Sequence, residues 1–287
     1  MVEQGSFGGN PLQKITISVI RRRWQETGAA ATMAAMVRRR FFLLLTAVLA
    51  AGLPFAALAQ TVREAVDGDT VILADGRQVR LLGIQAPKLA LGRKNFKDWP
   101  LAEDSKRAVA RLIVGKEATL RAGETPMDRH GRVLAHMYRA DGAWVQGEML
   151  RSGMARVYTF PDNRALAAEM YALESEARAA RRGIWAHPFY AVRGADDLKN
   201  DMGSFQIVAG RVVEAVRIKG AVYLNFGPDW RTDFTLRLDG PALKMFRTEG
   251  MDPLALKGQT IEARGWLRFK DGPMIDVTHP EQLTPTR

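Results

Sequence analysis

The sequence contains no cysteine among its 287 residues and only four histidines, which are widely scattered. The absence of cysteine excludes both a disulfide framework and a lipoprotein anchor. Zinc sites are usually built from clustered cysteine and histidine, so nothing in the sequence points to zinc. The fold therefore has to be held together by core packing alone.

One long apolar run stands near the N-terminus, at residues 41–59, directly after three arginines at 38–40. It ends in Ala57-Leu58-Ala59 followed by Gln60, which fits the small-x-small rule for cleavage of an export signal. A glycine and a proline interrupt the run, which argues against a permanent membrane anchor. We expect cleavage near Ala59, no stable membrane span afterwards, and a periplasmic or secreted protein.

The chain is basic, with a formal net charge of +11, but the excess is uneven. Residues 60–195 carry 22 Lys/Arg against 16 Asp/Glu, whereas residues 196–287 carry 13 of each. The basic first half suits a polyanionic ligand such as nucleic acid, DNA or RNA. A merely soluble basic surface is the alternative.

After residue 59, turn and helix signals indicate two halves in which the strands and the helix follow one another in the same order. Each half predicts three strands, a helix and two more strands, which is the order of an OB-type barrel. In the first half, residues 101–113 have helical spacing, and Asp162 or Asn163 is expected to cap a later helix. We therefore predict a mainly β protein with helices (α+β). The predicted organisation is an upstream extension and signal peptide (1–59), an OB domain (60–190), a linker (191–204) and a second OB-like domain (205–287).

One segment, AVDGDTVILADGRQVRLLGIQAPK, concentrates the chemistry of the sequence. Asp67 and Asp69 stand in a tight turn, and Arg80 follows the next hairpin. Carboxylates bind divalent cations, and a guanidinium binds phosphate oxygens bidentately. The segment therefore begins like a phosphodiester-cleaving site, but it then places Gln85 and Lys88 where acids are expected.

Four ordered blocks resemble the staphylococcal nuclease (thermonuclease) family: AVDGDTVIL, VRLLGIQAP, DRHGR at 128–132, and a helix followed by GIW at 183–185. The resemblance covers residues 61–186, approximately. It implies an OB-fold and endonuclease-type hydrolysis of nucleic-acid phosphodiester bonds. In that family a calcium ion and two arginines bind the scissile phosphate, and a glutamate is the general base for water.

Position by position, the resemblance implies that Asp69 is a calcium ligand and that Arg80 and Arg132 bind phosphate. Gln85 stands at the family's second metal-ligand aspartate, and Lys88 stands at its general-base glutamate. Glutamine offers only one neutral oxygen, and Lys88 adds a positive charge near the metal. Loss of a general base typically costs a factor of about 10²–10⁴. We therefore predict weak calcium binding and impaired hydrolysis. Alternatively, Lys88 replaces the charge of the metal and binds phosphate itself.

Acidic residues after Lys88 offer a possible replacement for the missing acids. Asp98, Glu103 and Asp104 are near enough in sequence to supply a ligand or a base. We prefer the simpler interpretation for the last two, in which they stabilise the first turn of the predicted helix.

Aromatic residues suggest how a nucleic acid is recognised. Tyr158 is a candidate for substrate binding, and with His130 and Phe160 it is suited to stack a base. Packing in the core or at the rim of the barrel is the alternative for each. In the second half, whose net charge is zero, the aromatic residues, Trp266 among them, allow a ligand-binding face as one alternative, but we favour core packing and contact with the first domain.

Three functions remain open at this stage. The first is an exported nuclease with a divergent metal and base site. The second is a catalytically degenerate module that binds nucleic acid or another polyanion, and the third is an envelope scaffold. The sequence does not predict an oligomeric state.

Overall fold

The computed structural model describes residues 59–286. The predicted export signal therefore lies outside the described residues, except for its last position. No helix within residues 59–286 is long and apolar enough to cross a membrane.

The first half of the described chain forms a closed five-stranded barrel. The strands of this half are β1 (Gln60–Asp67), β2 (Thr70–Leu73), β3 (Gln78–Leu81), β4 (Ile84–Gln85), β5 (Glu117–Met127), β6 (Val133–Arg139) and β7 (Arg156–Val157), of which β4 and β7 pair outside the barrel. Its helices are α1 (Ala102–Ile113), α2 (Val145–Arg151) and α3 (Ala167–Ala179). The barrel order is β1-β2-β3-β6-β5, closed by β1 against β5, with β3 parallel to β6. This is the order of the OB-fold, so the predicted fold class is confirmed.

Side chains alternate between two faces along each strand, and this alternation separates core residues from residues of the candidate site. In β3, Val79 and Leu81 are fully buried, while Arg80 between them is only partly buried and points to the other face. Successive side chains of a strand point to opposite faces. Val109 and Ile113 of α1 complete the core. The same alternation that fills the barrel therefore places Arg80 on its outside.

The second half repeats this connectivity in two sheets. Its strands are β8 (Arg193–Gly194), β9 (Phe205–Arg211), β10 (Glu214–Ile218), β11 (Ala221–Asn225), β12 (Thr235–Leu238), β13 (Thr260–Trp266), β14 (Arg268–Phe269), β15 (Pro273–Val277) and β16 (Leu283–Pro285), with helix α4 (Gly240–Thr248). The sheet orders are β10-β11-β12-β15-β14 and β16-β13-β9-β8, with β12 parallel to β15 and β9 paired with β13. Taking β9–β10 and β13–β14 as two bent strands gives the OB order again, around a separate apolar core.

Short 3₁₀ turns connect several of these elements: Gly183–Ala186, Pro188–Tyr190, Pro253–Leu256 and Pro280–Gln282. The segment predicted as a linker contains β8, which pairs with β9, and Leu198, which is buried in the second core. The residue boundaries of the two domains stay a prediction.

The predicted cap of α3 is wrong. The helix begins at Ala167 after Leu166, which has a left-handed backbone (φ 60°), and no side chain caps its first turn. Asn163 is buried instead, and its side-chain amide donates to the carbonyl of Thr125 in β5. Asn163 is therefore used to attach the loop before the helix to the barrel.

Buried and half-buried ion pairs join the two halves. Arg264 of β13 binds Glu174 of α3, with 2.8 Å between Nη2 and Oε1, and both side chains are buried. Arg178 binds Glu262 at 2.8 Å in the same region. Because truncating one partner would leave an unpaired buried charge, these contacts strongly favour one arrangement of the two halves.

Candidate functional site

The residues selected from the sequence meet at one open cleft of about 800 Å³. Those that line it are Asp67, Arg80, Gln85, Lys88, His130, Arg132, Tyr158 and Phe160. Asp69 has no exposed surface, and it affects the cleft through its ion pairs with Arg80 and Lys88. The fold thus brings together groups that lie in or directly beside the first three of the four sequence blocks, and it adds Tyr158 and Phe160, which lie between the third block and the fourth.

The Asp67–Asp69 turn is fixed by backbone hydrogen bonds. The N–H of Asp69 donates to Asp67 Oδ1 at 3.0 Å, and the N–H of Ala86 donates to Asp69 Oδ2 at 2.7 Å. A Cβ at Gly68 would lie 1.9 Å from Ser105 Oγ, so the turn passes too close to α1 for any other residue. Asp69 is consequently held in one position inside the barrel wall.

Lys88 places its ammonium group on this pair of carboxylates. Its Nζ lies 2.6 and 2.7 Å from the two oxygens of Asp69 and 3.2 Å from Asp67 Oδ2. The Lys88 side chain is only 20% exposed. A cation that belongs to the chain therefore satisfies the two aspartates of the turn.

The two aspartates differ in acidity. Burial by itself raises the pKa of the Asp69 carboxyl, but the charges of Arg80 and Lys88 outweigh it and hold that pKa well below its ordinary value. The pKa of Asp67 is raised, because burial and the negative charge of Asp69 outweigh the two cations. Asp69 is therefore the permanent anion, and Asp67 is the group of the pair that takes up a proton more readily.

The two arginines of the predicted phosphate site are held by the protein in different ways. Arg80 donates to the carbonyls of Leu81 and Ile84 at 2.5 and 2.6 Å, and it lies 3.4 Å from Asp69 Oδ2. Arg132 binds Asp128 Oδ2 at 2.7 Å and is 29% exposed. Arg132 is thus the more accessible of the two guanidinium groups.

Asp128 also shapes the loop that carries Arg132. Its Oδ1 accepts the backbone N–H groups of His130 and Arg132 at 2.8 and 3.0 Å. Partial burial raises the pKa of Asp128, but the bonds from Arg132 and His130 outweigh it, and the net shift is downward. The carboxylate therefore stays charged and orients Arg132 at the edge of the cleft.

Gln85 is engaged in the contact between the two halves. Its Oε1 accepts hydrogen bonds from Nε and Nη2 of Arg156 at 3.0 and 2.7 Å. Arg156 is buried, which lowers its pKa to about 10, and it also donates to the carbonyl of Phe205 in β9 at 3.1 Å. No sequence signal singled out Arg156, because its partners lie 71 and 49 positions away.

The donor set does not fit calcium, which takes six to eight oxygen ligands, several of them carboxylates. Lys88 binds both Asp69 oxygens, and Arg156 binds the Gln85 oxygen. Within residues 59–286, no group of three or more acidic, histidine or cysteine residues is placed to hold a metal ion. In this arrangement the site holds its own ammonium group in place of a divalent cation.

The acids after Lys88 have other roles. Asp98 Oδ1 accepts the N–H of Ala90 at 2.5 Å and closes the loop. Glu103 and Asp104 lie in the first turn of α1, where negative charge favours the helix. The preferred interpretation of Glu103 and Asp104 is confirmed.

Aromatic rings also line the cleft. Tyr158 packs edge-on against Phe160, with 4.8 Å between ring centroids, and Trp266 Nε1 donates to the Tyr158 hydroxyl at 2.9 Å. Trp266 contacts the first half as expected, but it is 49% exposed rather than packed in a core. The expectation of core packing is wrong for Trp266 because β13 ends at the rim of the cleft, and correct for Phe234, which is buried.

A closed five-stranded barrel of this strand order, bordered by a cationic cleft, defines a domain of the OB-fold class. The family described as staphylococcal nuclease homologue matches residues 78–187. An uncharacterized endonuclease of Escherichia coli is 32% identical over 124 residues, which is 42% of this chain and 72% of the relative. The chain therefore belongs to the staphylococcal nuclease family.

Other relatives are matched over different shares of their length. A probable staphylococcal-like nuclease, CAN1, of Oryza sativa subsp. japonica is 34% identical over 115 residues, 40% of this chain but only 30% of the relative. Protein ParB of Escherichia coli is 30% identical over 155 residues, 50% of this chain and 81% of the relative. The chain thus spans less than a third of the rice protein.

Proposed function

We propose that the cleft binds the phosphodiester backbone of nucleic acid, and that the ammonium group of Lys88 supplies the positive charge beside Asp69, the residue that the family resemblance implies as a calcium ligand. Calcium-dependent hydrolysis is then lost or strongly reduced. The single observation that carries this proposal is the ammonium group of Lys88, within 2.7 Å of both carboxylate oxygens of Asp69. Because the chain covers less than a third of its rice relative, the activity named for that relative is not assigned to this chain.

The charge of the cleft favours phosphate. Five cationic side chains border it: Arg80, Lys88, Arg93, Arg129 and Arg132. Three carboxylates border it as well: Asp67, Asp128 and Asp162. Charge-assisted hydrogen bonds from guanidinium and ammonium groups are the usual means of binding phosphate oxygens. We therefore expect binding that needs no divalent ion and weakens as salt is added.

Hydrolysis by a different route is a second candidate function. Asp67 borders the cleft and its raised pKa is a property of general bases. In this alternative the Asp67 carboxylate accepts a proton from the attacking water, and Lys88 and the arginines stabilise the charge on the phosphate. Such cleavage proceeds in the presence of a chelator.

The experiment compares binding and cleavage of a labelled oligonucleotide by the purified protein, with chelator and with calcium, magnesium, manganese or zinc. We expect the same affinity in chelator and in calcium, with no calcium-dependent product. Lys88→Met should weaken binding, whereas Lys97→Met, which removes an exposed lysine of the same loop, should have a much smaller effect. Calcium-dependent cleavage by the unmodified protein would refute the proposal. Cleavage in chelator that is lost in Asp67→Asn would establish the second candidate.

A further inference from the structure

We infer that Trp266, which belongs to the second barrel, is a stacking position for a base of single-stranded nucleic acid bound in the cleft. The inference rests on the proposed function, because a base reaches the indole only when phosphates lie along the cationic side of the same cleft. It gives the second barrel a part in recognition.

Trp266 presents an exposed aromatic ring to the cleft. It lies at the end of β13, lines the cleft together with Tyr158 and Phe160, and is 49% exposed. Its indole N–H donates to the Tyr158 hydroxyl, so the polar edge of the ring is satisfied within the protein. The remaining exposed surface of the side chain is aromatic carbon, which is suited to stacking on a base.

Contacts within the second barrel and with Tyr158 hold Trp266 in place. Trp266 pairs with Phe205 in the β9–β13 ladder, and the Phe205 ring packs against Tyr158 with 4.8 Å between centroids. A Cβ at Gly265 would lie 2.4 Å from Ile275 Cγ2, so the strand before Trp266 is pressed against β15. The indole is therefore held in place before any ligand binds, which lowers the entropic cost of binding.

The charge of the cleft identifies the occupant. Lys88, Arg80 and Arg132 border the same cleft as Trp266. A cationic groove combined with aromatic rings is the arrangement that binds single strands, whose bases are free to stack. A duplex keeps its bases inside the helix, so it would meet only the cationic groups. The partner that fits both the cationic groups and the aromatic rings is a single strand of DNA or RNA.

The test uses three probes of equal length: single-stranded oligothymidylate, an abasic strand with the same phosphodiester backbone, and a duplex. The protein should bind oligothymidylate more tightly than the other two. Trp266→Leu, which keeps an apolar side chain without an aromatic face, should weaken oligothymidylate binding by a factor on the order of ten and leave abasic binding unchanged. Trp266→Phe should retain most of the preference for oligothymidylate over the abasic strand. Trp230→Leu is the matched control, because Trp230 is 50% exposed but is not among the residues that line the cleft.

The outcomes separate this inference from the proposed function. Equal binding of oligothymidylate and the abasic strand, or equal losses for both in Trp266→Leu, would refute the stacking position and leave phosphate binding intact. Failure of the unmodified protein to bind any of the probes at low salt would refute the proposed function, and this inference with it. Because the test compares phenylalanine with leucine at position 266, it does not require a folded Trp266→Ala variant.

Discussion

Replacing Lys88 by glutamate would exchange the internal cation of the site for a third carboxylate. In the structure, Nζ of Lys88 lies 2.6 Å from Asp69 Oδ1, and the Asp69 side chain has no exposed surface. Removing one partner of a buried pair typically costs about 3–5 kcal/mol. The 20% exposure of Lys88 reduces this cost, whereas repulsion between the new carboxylate and Asp67 and Asp69 adds to it, so we use about 3 kcal/mol as the smallest expected loss. For a protein of this size, that corresponds to a fall in Tm of about 6–12 °C.

The same variant should acquire calcium binding. The carboxylate introduced by Lys88→Glu would join those of Asp67 and Asp69 in a set of three, which hard divalent cations favour. At a calcium concentration 100 times Kd, binding returns about 2.7 kcal/mol of stability. Most of the lost Tm should therefore be recovered when calcium is added to Lys88→Glu, while the unmodified protein should show little change.

Thermal unfolding with and without calcium measures both effects. Lys97→Glu is the control, because it makes the same change of charge at an exposed position of the same loop. The reasoning is refuted when calcium stabilises the unmodified protein as much as Lys88→Glu, or when it stabilises neither. Adding Gln85→Asp to Lys88→Glu should bring no further calcium affinity, because Arg156 would bind the new carboxylate as it now binds the amide oxygen.

Three further predictions concern the rest of the chain. Burial lowers the pKa of His279 from 6.5 to about 4. As the pH falls between those two values, the unfolded state binds a proton that the folded state does not bind, so the free energy of unfolding decreases by about 3 kcal/mol. His279→Gln should flatten this part of the curve of stability against pH. Glu174→Ala should cost about 3–5 kcal/mol in denaturant unfolding because it leaves Arg264 unpaired, whereas Glu174→Leu with Arg264→Met should recover most of that loss. Export with cleavage after Ala59 should give a mature N-terminus at Gln60, measured by mass spectrometry of the extracytoplasmic fraction.

Each of these three has an outcome that contradicts it. An unchanged pH profile in His279→Gln would show that another group is responsible for the loss of stability. Additive losses in the Glu174 and Arg264 double variant would show that the two side chains do not act as a pair. An intact N-terminus, or protein found only in the cytoplasm, would argue against export.

The strand order and the positions of the site residues could be predicted because their signals are local. Asp75-Gly76 is a local signal for a hairpin turn, and the structure has this hairpin between Thr70–Leu73 and Gln78–Leu81. Arg80 is fixed on the outer face by the alternation of side chains along β3. The start of α3 was predicted wrongly at Asp162 or Asn163, because a side chain able to cap a helix can equally bond to a distant strand.

The partners of the polar side chains could not be predicted. Gln85 and Arg156 are 71 positions apart, and Tyr158 and Trp266 are 108 positions apart. Nothing in the neighbouring sequence specifies either contact. The expectation of core packing for Trp266 failed because a strand pattern does not tell whether the end of the strand reaches a core or the rim of a cleft.

From the sequence alone we predicted an OB-fold domain that resembles the staphylococcal nuclease family, a second OB-like half, and a candidate site with two aspartates and two arginines, in which Gln85 and Lys88 stand where the resemblance implies acids. Local periodicity, turn residues and the ordered motifs that carry the resemblance are sufficient for those predictions. Only the packed structure shows what Lys88 and Gln85 contact: Lys88 neutralises the buried aspartates, and Gln85 binds Arg156, one of the arginines that join the two halves. Burial is the physical reason, because a charge removed from water must find a partner, and only the packed fold determines which groups are within reach.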